Sequence, residues 1–229
     1  MKKTIPSGLY ITFEGPEGCG KSLQQKMLAE RLNKEYSVVT TKQPGGIAIN
    51  VKLPDGKEHT IRSLLLEPGF DLSAEDEAIL FWYNDRFLHH KFFVKPALAE
   101  GKIVLGDRDF DSSWAYQCFA GGINSARMER MQEDVMGQWK PSLTFLYDGP
   151  VDALMKRKMA YLTANGSKEA RFESKPIEYH ERVRKGFLER AKNQQRFVVF
   201  DALKSIEELH EATYQKVKEL ISSREESSV

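Results

Sequence analysis

The chain has 229 residues, 41% of them hydrophobic and 29% charged, enough apolar material for one globular core without forcing a second domain. Its 34 lysines and arginines balance 33 aspartates and glutamates to a net charge of +1, so no overall basic field points to nucleic acid. Two cysteines make no disulfide framework, no apolar run reaches membrane-spanning length, and Met1-Lys2-Lys3 leads into no apolar leader; the expectation is a cytoplasmic protein with no membrane partner.

The first apolar run, 9–13, reads as a buried strand and leads into Gly15-Pro16-Glu17-Gly18-Cys19-Gly20-Lys21-Ser22. This is a phosphate loop in its confirming context, a strand before and a helix after. Its glycines let backbone N–H groups turn onto phosphate oxygens at the positive end of a helix. Gly15, Glu17, Gly18, Cys19, Gly20, Lys21, Ser22 and Leu23 are therefore expected around the phosphates of a nucleoside triphosphate. Lys21 would reach the terminal phosphates and Ser22 would ligate Mg²⁺.

Further along, a helix is expected over 22–35 and a strand over 37–41. An inserted hairpin or loop follows over 50–60, signalled by Pro54-Asp55-Gly56. Next come a long helix over 74–100, divisible near Asp85, a strand over 102–107 and a helix over 124–138. The remainder reads as a strand over 143–148, a helix over 151–162, a polar mobile flap over 163–176, a helix over 177–193, a strand over 197–201, a helix over 205–221 and a frayed tail over 222–229. Strands alternating with helices predict a doubly wound α/β fold, a five-stranded parallel sheet flanked by helices in one domain, with ligands beyond the carboxyl ends of the strands.

Several segments then fall in a recognisable order: 13–22 with the phosphate loop, Gln43-Pro44-Gly45-Gly46, Ile61-Arg62-Ser63-Leu64-Leu65-Leu66, Asp107-Arg108 leading to Ser112-Ser113-Trp114-Ala115-Tyr116-Gln117, and Pro141-Ser142-Leu143-Thr144. In these the chain resembles the thymidylate kinase family over nearly its whole length, and the Asp-Arg to Ala-Tyr-Gln segment is the most specific part. The resemblance implies a phosphate-loop kinase fold, transfer of phosphate from ATP with Mg²⁺ to dTMP, and a homodimer to which the helix over 74–100 contributes.

Carried over by position, the resemblance implies that Glu17 meets the sugar 3′-hydroxyl, Arg62 and Arg108 hold the acceptor phosphate, and Asp107 orients Mg²⁺ or its waters. Ser113 and Gln117 would face the thymine edge, Arg86 its O4, and Phe81 or Trp82 its ring; Gln43 and Tyr116 complete the acceptor site. Catalysis would rest on Lys21, Asp107, Arg108 and Arg171, the last carried onto the transferring phosphoryl group by the flap. Gly18 stands where some members place an arginine, which makes the flap the expected source of that cation, and loss of Arg171 should lower turnover more than dTMP binding.

The chain departs from the family pattern around the acceptor. Gln43 replaces a glutamate, Gly121-Gly122 replaces an Arg-Gly pair, and the 50–60 insertion precedes Arg62. Three alternatives therefore stand beside dTMP kinase: a kinase for another (deoxy)nucleoside monophosphate, a regulatory NTPase, and a non-catalytic nucleotide-binding module. By periodicity alone Phe81 and Trp82 are core-facing helix residues, Lys156-Arg157-Lys158 is a solvated helix face whose place before the flap leaves room for phosphate or adenine contacts, and Arg171 is an ordinary loop charge. Counting forward from the leucine run puts the stacking ring at Phe81, and counting back from Arg86 puts it at Trp82. The adjacent His89-His90 lacks metal-ligand spacing. Cys19 reads as a tolerated slot-filler, with a reactive low-pKa thiol as the alternative.

Overall fold

The computed structural model describes residues 2–54, 56–137, 139–166, 171–192 and 194–226. Five strands, β1 (Leu9–Glu14), β2 (Val38–Lys42), β5 (Ile103–Asp107), β6 (Leu143–Asp148) and β7 (Phe197–Asp201), pair in parallel in the order β2-β5-β1-β6-β7. Asn50–Lys52 (β3) and Glu58–Thr60 (β4) form a separate antiparallel hairpin within the inserted segment. From β1 the chain winds to β2 at one edge, then returns past β1 to β6 and β7. That reversal opens a crevice at the carboxyl ends of the central strands, where ligands bind in such sheets.

Helices cover both faces. They are α1 (Lys21–Leu32), α2 (Ile61–Leu66), a continuous helical run over 74–99 (α3), a second run over 110–120 (α4), α5 (Ser125–Met136), α6 (Val151–Asn165), α7 (Ile177–Lys192) and α8 (Ile206–Glu226). Strand alternation sorts the core. Leu9, Ile11 and Phe13 pack with Leu28 of α1 and Leu209, Val217 and Ile221 of α8. Tyr10 points the other way, into Val94, Ala97 and Leu98 of α3. Gln25 of α1 is buried and donates to the carbonyls of Thr41 (2.8 Å) and Leu105 (2.7 Å), tying that helix to the ends of β2 and β5.

Four local readings are corrected. The division expected near Asp85 is no break: α3 runs on through two π-helical stretches, Leu80–Arg86 and His90–Val94, whose wider turns carry an extra residue. The run α4 lies outside the expected helices because it is buried almost all round and shows no amphipathic period. The expected tail is helical as far as Glu226, and α6 continues to Asn165, into the expected flap. Asp55 of the expected turn, Gln138 and Asn193 at two expected helix ends, 167–170 of the flap and 227–229 of the tail lie outside the described residues. No helix among the described residues is long and apolar enough to cross a membrane.

Candidate active site

The phosphate loop begins where β1 ends. Gly15 sits at φ +144°, and a Cβ there would come within 2.4 Å of the Tyr147 carbonyl oxygen. At Gly18 (φ +76°) a Cβ would lie 2.0 Å from the Leu154 carbonyl oxygen and 3.2 Å from Cβ of Lys158. Position 18 is therefore glycine because α6 abuts the loop, and the same contact lays the Lys158 stem across it. Cys19 is a buried core member whose thiol is pushed up by burial, so the reactive-thiol alternative falls and the slot-filler reading stands.

One cleft at the carboxyl edge collects Glu17, Lys21, Ser22, Gln43, Arg62, Phe81, Arg86, Asp107, Arg108, Ser113, Tyr116 and Gln117. Ser22 donates its hydroxyl hydrogen bond to Asp107 Oδ2, so two hard oxygen donors meet at the loop. Arg108 is the hub: Nη2 reaches Glu17 Oε1 at 2.8 Å and Tyr116 Oη at 3.0 Å, and Nη1 reaches the Gly15 carbonyl and Ser112 Oγ at 3.0 Å each. Burial would raise the Glu17 carboxyl, but Arg108, then Lys21 and Lys158, hold it below the usual carboxylate range. The Tyr116 hydroxyl also donates to Glu17, at 2.7 Å.

At the other end of the cleft Arg86 is almost wholly enclosed. Its Nε donates to Gln43 Oε1 and Asp109 Oδ1, both at 3.0 Å, and Nη1 donates to Ser113 Oγ at 3.1 Å. Burial would raise Asp109, yet His90, which is 3.1 Å away, and Arg86 hold it low. Gln43 spends its other end on His89 Nδ1 (2.7 Å), and His89 Nε2 meets Thr41 Oγ1 at 2.6 Å. With the Gln43 amide donating, His89 is neutral and carries its proton on Nε2; burial pushes its pKa down to about 4. Gln43, the departure from the family's glutamate, thus links Arg86 to a neutral histidine.

Gly18, Cys19, Gly20 and Leu23 of the phosphate loop border a second hollow instead, while Trp82 and Arg171 are turned into the protein away from the cleft. Trp82 has no solvent access: its Nε1–H points at Met128 Sδ (3.0 Å), and it packs with Phe110 and Trp114. Phe81 lines the cleft instead. Arg171 pairs with Glu77 at 2.9 Å and donates to the carbonyls of Leu65 (3.2 Å) and Leu72 (2.9 Å), anchoring the segment after α6 to α2 and α3. Glu77 in turn accepts from Gln117 at 2.9 Å.

Glu173, Phe172 and Asp109 line the cleft without having been singled out by the sequence, and so does Lys158, which the sequence marked only as part of a basic helix face before the flap. Lys158 pairs with Glu173 at 2.9 Å; its signal was its place between the phosphate loop and the flap. Asp109 had none beyond standing next to Arg108. Gly121 has no room for the arginine of the family pattern, since a Cβ there would lie 2.6 Å from the Gln117 carbonyl oxygen and 2.9 Å from Ala74 Cβ. The second hollow, on the outer side of the loop, is lined by Gly18, Gly20, Leu23, Gln24, Arg157 and the segment 202–207. Arg157 Nη1 donates to the Ala202 carbonyl there at 2.7 Å.

Residues 13–213 match the model of the thymidylate kinase family. The thymidylate kinase of Halothermothrix orenii is 40% identical over 212 residues, 92% of this chain and 97% of that protein. That of Desulfosudis oleivorans is 39% identical over 200 residues, covering 85% and 89%. Among solved structures, thymidylate kinase from Ehrlichia chaffeensis superposes with a TM-score of 0.70 at 29% identity, covering 93% of this chain and all of that one.

Proposed function

The chain belongs to the thymidylate kinase family, and we propose that it phosphorylates dTMP to dTDP with ATP through the following division of labour. The observation that carries it is one cleft holding both a phosphate loop and, a few ångströms away, the guanidinium of Arg108 with a base-end set of Phe81, Arg86, Ser113 and Gln117. ATP lies with its phosphates on Gly15–Ser22 and its base in the hollow by Leu23 and Arg157. The dTMP phosphate lies against Arg62 and Arg108, for which planar bidentate donors are apt. Its sugar meets Glu17 and Tyr116, and its base stacks on Phe81 with Arg86 and Gln117 at the edge.

Phosphoryl transfer needs alignment and charge stabilisation rather than a covalent protein nucleophile. An oxygen of the dTMP phosphate attacks the γ-phosphorus in line, forming the new P–O bond as the bond to the β-phosphate oxygen breaks and ADP leaves. Lys21 and Arg108 stabilise the charge that spreads over the γ-oxygens. Lys158, laid across Gly18, is the cation we assign to the place the resemblance gave to Arg171. The hydroxyl of Ser22 and the carboxylate of Asp107 suit Mg²⁺, a hard ion that takes few protein ligands and shares the phosphates. When bound it would neutralise phosphate charge.

A homodimer is supported by Ile79, Tyr83 and Phe87, exposed at four-residue intervals on α3, with Phe92 exposed beyond them. A cytoplasmic location suits a protein whose two substrates are charged nucleotides. The test is ³¹P NMR of the protein with ATP, Mg²⁺ and dTMP: dTDP and ADP should grow in equal amounts. Inorganic phosphate in place of dTDP would reject the reading in favour of an NTPase.

A further inference from the structure

Strand alternation turns Glu14, the last residue of β1, onto the face shared with Tyr10 and Thr12, where it is fully buried. Its Oε1 accepts the backbone N–H of Asp109 at 2.7 Å, and its Oε2 accepts the Ser112 hydroxyl at 2.6 Å. Immediately before the first of those donors stands Arg108, at φ +68°, a left-handed conformation that costs a side-chain-bearing residue about 1–2 kcal/mol. The Arg108 N–H is itself taken by the Phe13 carbonyl at 3.0 Å. The strained turn is therefore tied on both sides to the end of β1.

Ser112 is the node. Its Oγ accepts from Arg108 Nη1 at 3.0 Å while its single proton goes to Glu14. An acceptor at Glu14 is what leaves the hydroxyl lone pairs facing the guanidinium. Burial, then the charge of Asp111, pushes the Glu14 carboxyl up to about 8, and Arg108, the Ser112 hydroxyl and the Asp109 amide draw it back. Those three are the groups it orients.

We propose that Glu14 is a positioning residue for phosphoryl transfer: its side-chain oxygens, by accepting from the Asp109 amide and the Ser112 hydroxyl, hold the left-handed turn at Arg108 and orient Ser112, so that the guanidinium faces the acceptor phosphate. This rests on the reading of Arg108 as a ligand of that phosphate. Glu14→Gln preserves shape and the acceptor for the Asp109 amide but presents an NH₂ to Ser112, which turns the hydroxyl proton against Arg108.

The experiment is a double-mutant cycle of Glu14→Gln and Arg108→Ala, with kcat and KM measured for dTMP and ATP. Glu14→Gln should lower kcat/KM for dTMP about 10- to 100-fold, the scale of one buried hydrogen bond turned unfavourable. The KM for ATP should stay within about twofold, and the change should cost nothing further in the Arg108→Ala background. Additive losses would overturn the inference and leave the role of Arg108 standing. An Arg108→Ala protein with unchanged dTMP kinetics would overturn that role and the inference with it. If Glu14→Gln does not fold, Ser112→Ala, which removes only the node, takes its place in the cycle with the same two outcomes.

Discussion

Arg86 and Asp109 form an ion pair shut off from water: Nε lies 3.0 Å from Oδ1, and neither side chain is more than 1% exposed. Removing one partner of such a pair strands the other, typically at 3–5 kcal/mol. Asp109→Asn keeps an oxygen toward Arg86 but not the charge, and should destabilise the protein by about 3 kcal/mol in urea unfolding. It should also raise KM for dTMP more than for ATP, as the proposed acceptor site, which includes that guanidinium, requires.

Phe81 lines the cleft while Trp82 lies in the core, so substitutions of the two should behave differently. Phe81→Ala should raise KM for dTMP about tenfold, the loss of one stacking contact, with little change in melting temperature. Trp82→Ala should instead cost about 3–5 kcal/mol of stability. A reversal of the two effects, read by kinetics and thermal melts, would move the stacking role to Trp82.

Lys158 and Arg171 make a second such pair. Lys158→Ala should lower kcat about 100-fold with KM for dTMP nearly unchanged, as expected of a group acting on the transferring phosphoryl. Arg171→Ala should cost about 3 kcal/mol, since it leaves Glu77 buried and unpaired, and should lower kcat less. A larger kcat loss at Arg171 would return the catalytic cation to that residue.

His89 gives a pH signature. Its pKa in the folded protein, about 4, lies below the unfolded value of 6.5, so it contributes stability above pH 6.5 that is lost as pH falls from there toward 4. The full loss is about 3 kcal/mol. Asp85 and Glu14, raised by burial to about 6 and about 8, gain stability over the same acid range, so the effect is read by difference. Unfolding free energies at pH 7 and pH 4.5 should fall more for the unaltered protein than for His89→Gln. Equal changes would mean that His89 is not the buried neutral partner of Gln43.

Much of this was legible in the residues. The five strands needed only apolar runs followed by polar clusters, and their bounds differ from the expected ones by a residue or so. The phosphate loop declared itself through glycine spacing. Phe81 against Trp82 could not be settled by counting because the π-helical turns over Leu80–Arg86 shift the phase between the two anchors. Arg171 drew attention by lying in a polar loop, but its partner Glu77 is nearly a hundred residues away in the chain. For Lys158 the sequence offered a solvated face or a phosphate contact, and could not choose because the approach of α6 to Gly18 is tertiary. Glu14 reads as an isolated charge closing a strand until folding brings the Asp109 amide and Ser112 to it.

The most direct measurement is the specificity constant of the unaltered protein with ATP and Mg²⁺ for dTMP, dUMP, dCMP, dGMP and dAMP, each alone, by coupled ADP release. The account predicts that dTMP exceeds every other acceptor, with Gln43 and Gly121 as tolerated replacements. A higher constant for any other nucleotide, or no turnover with dTMP, would contradict it.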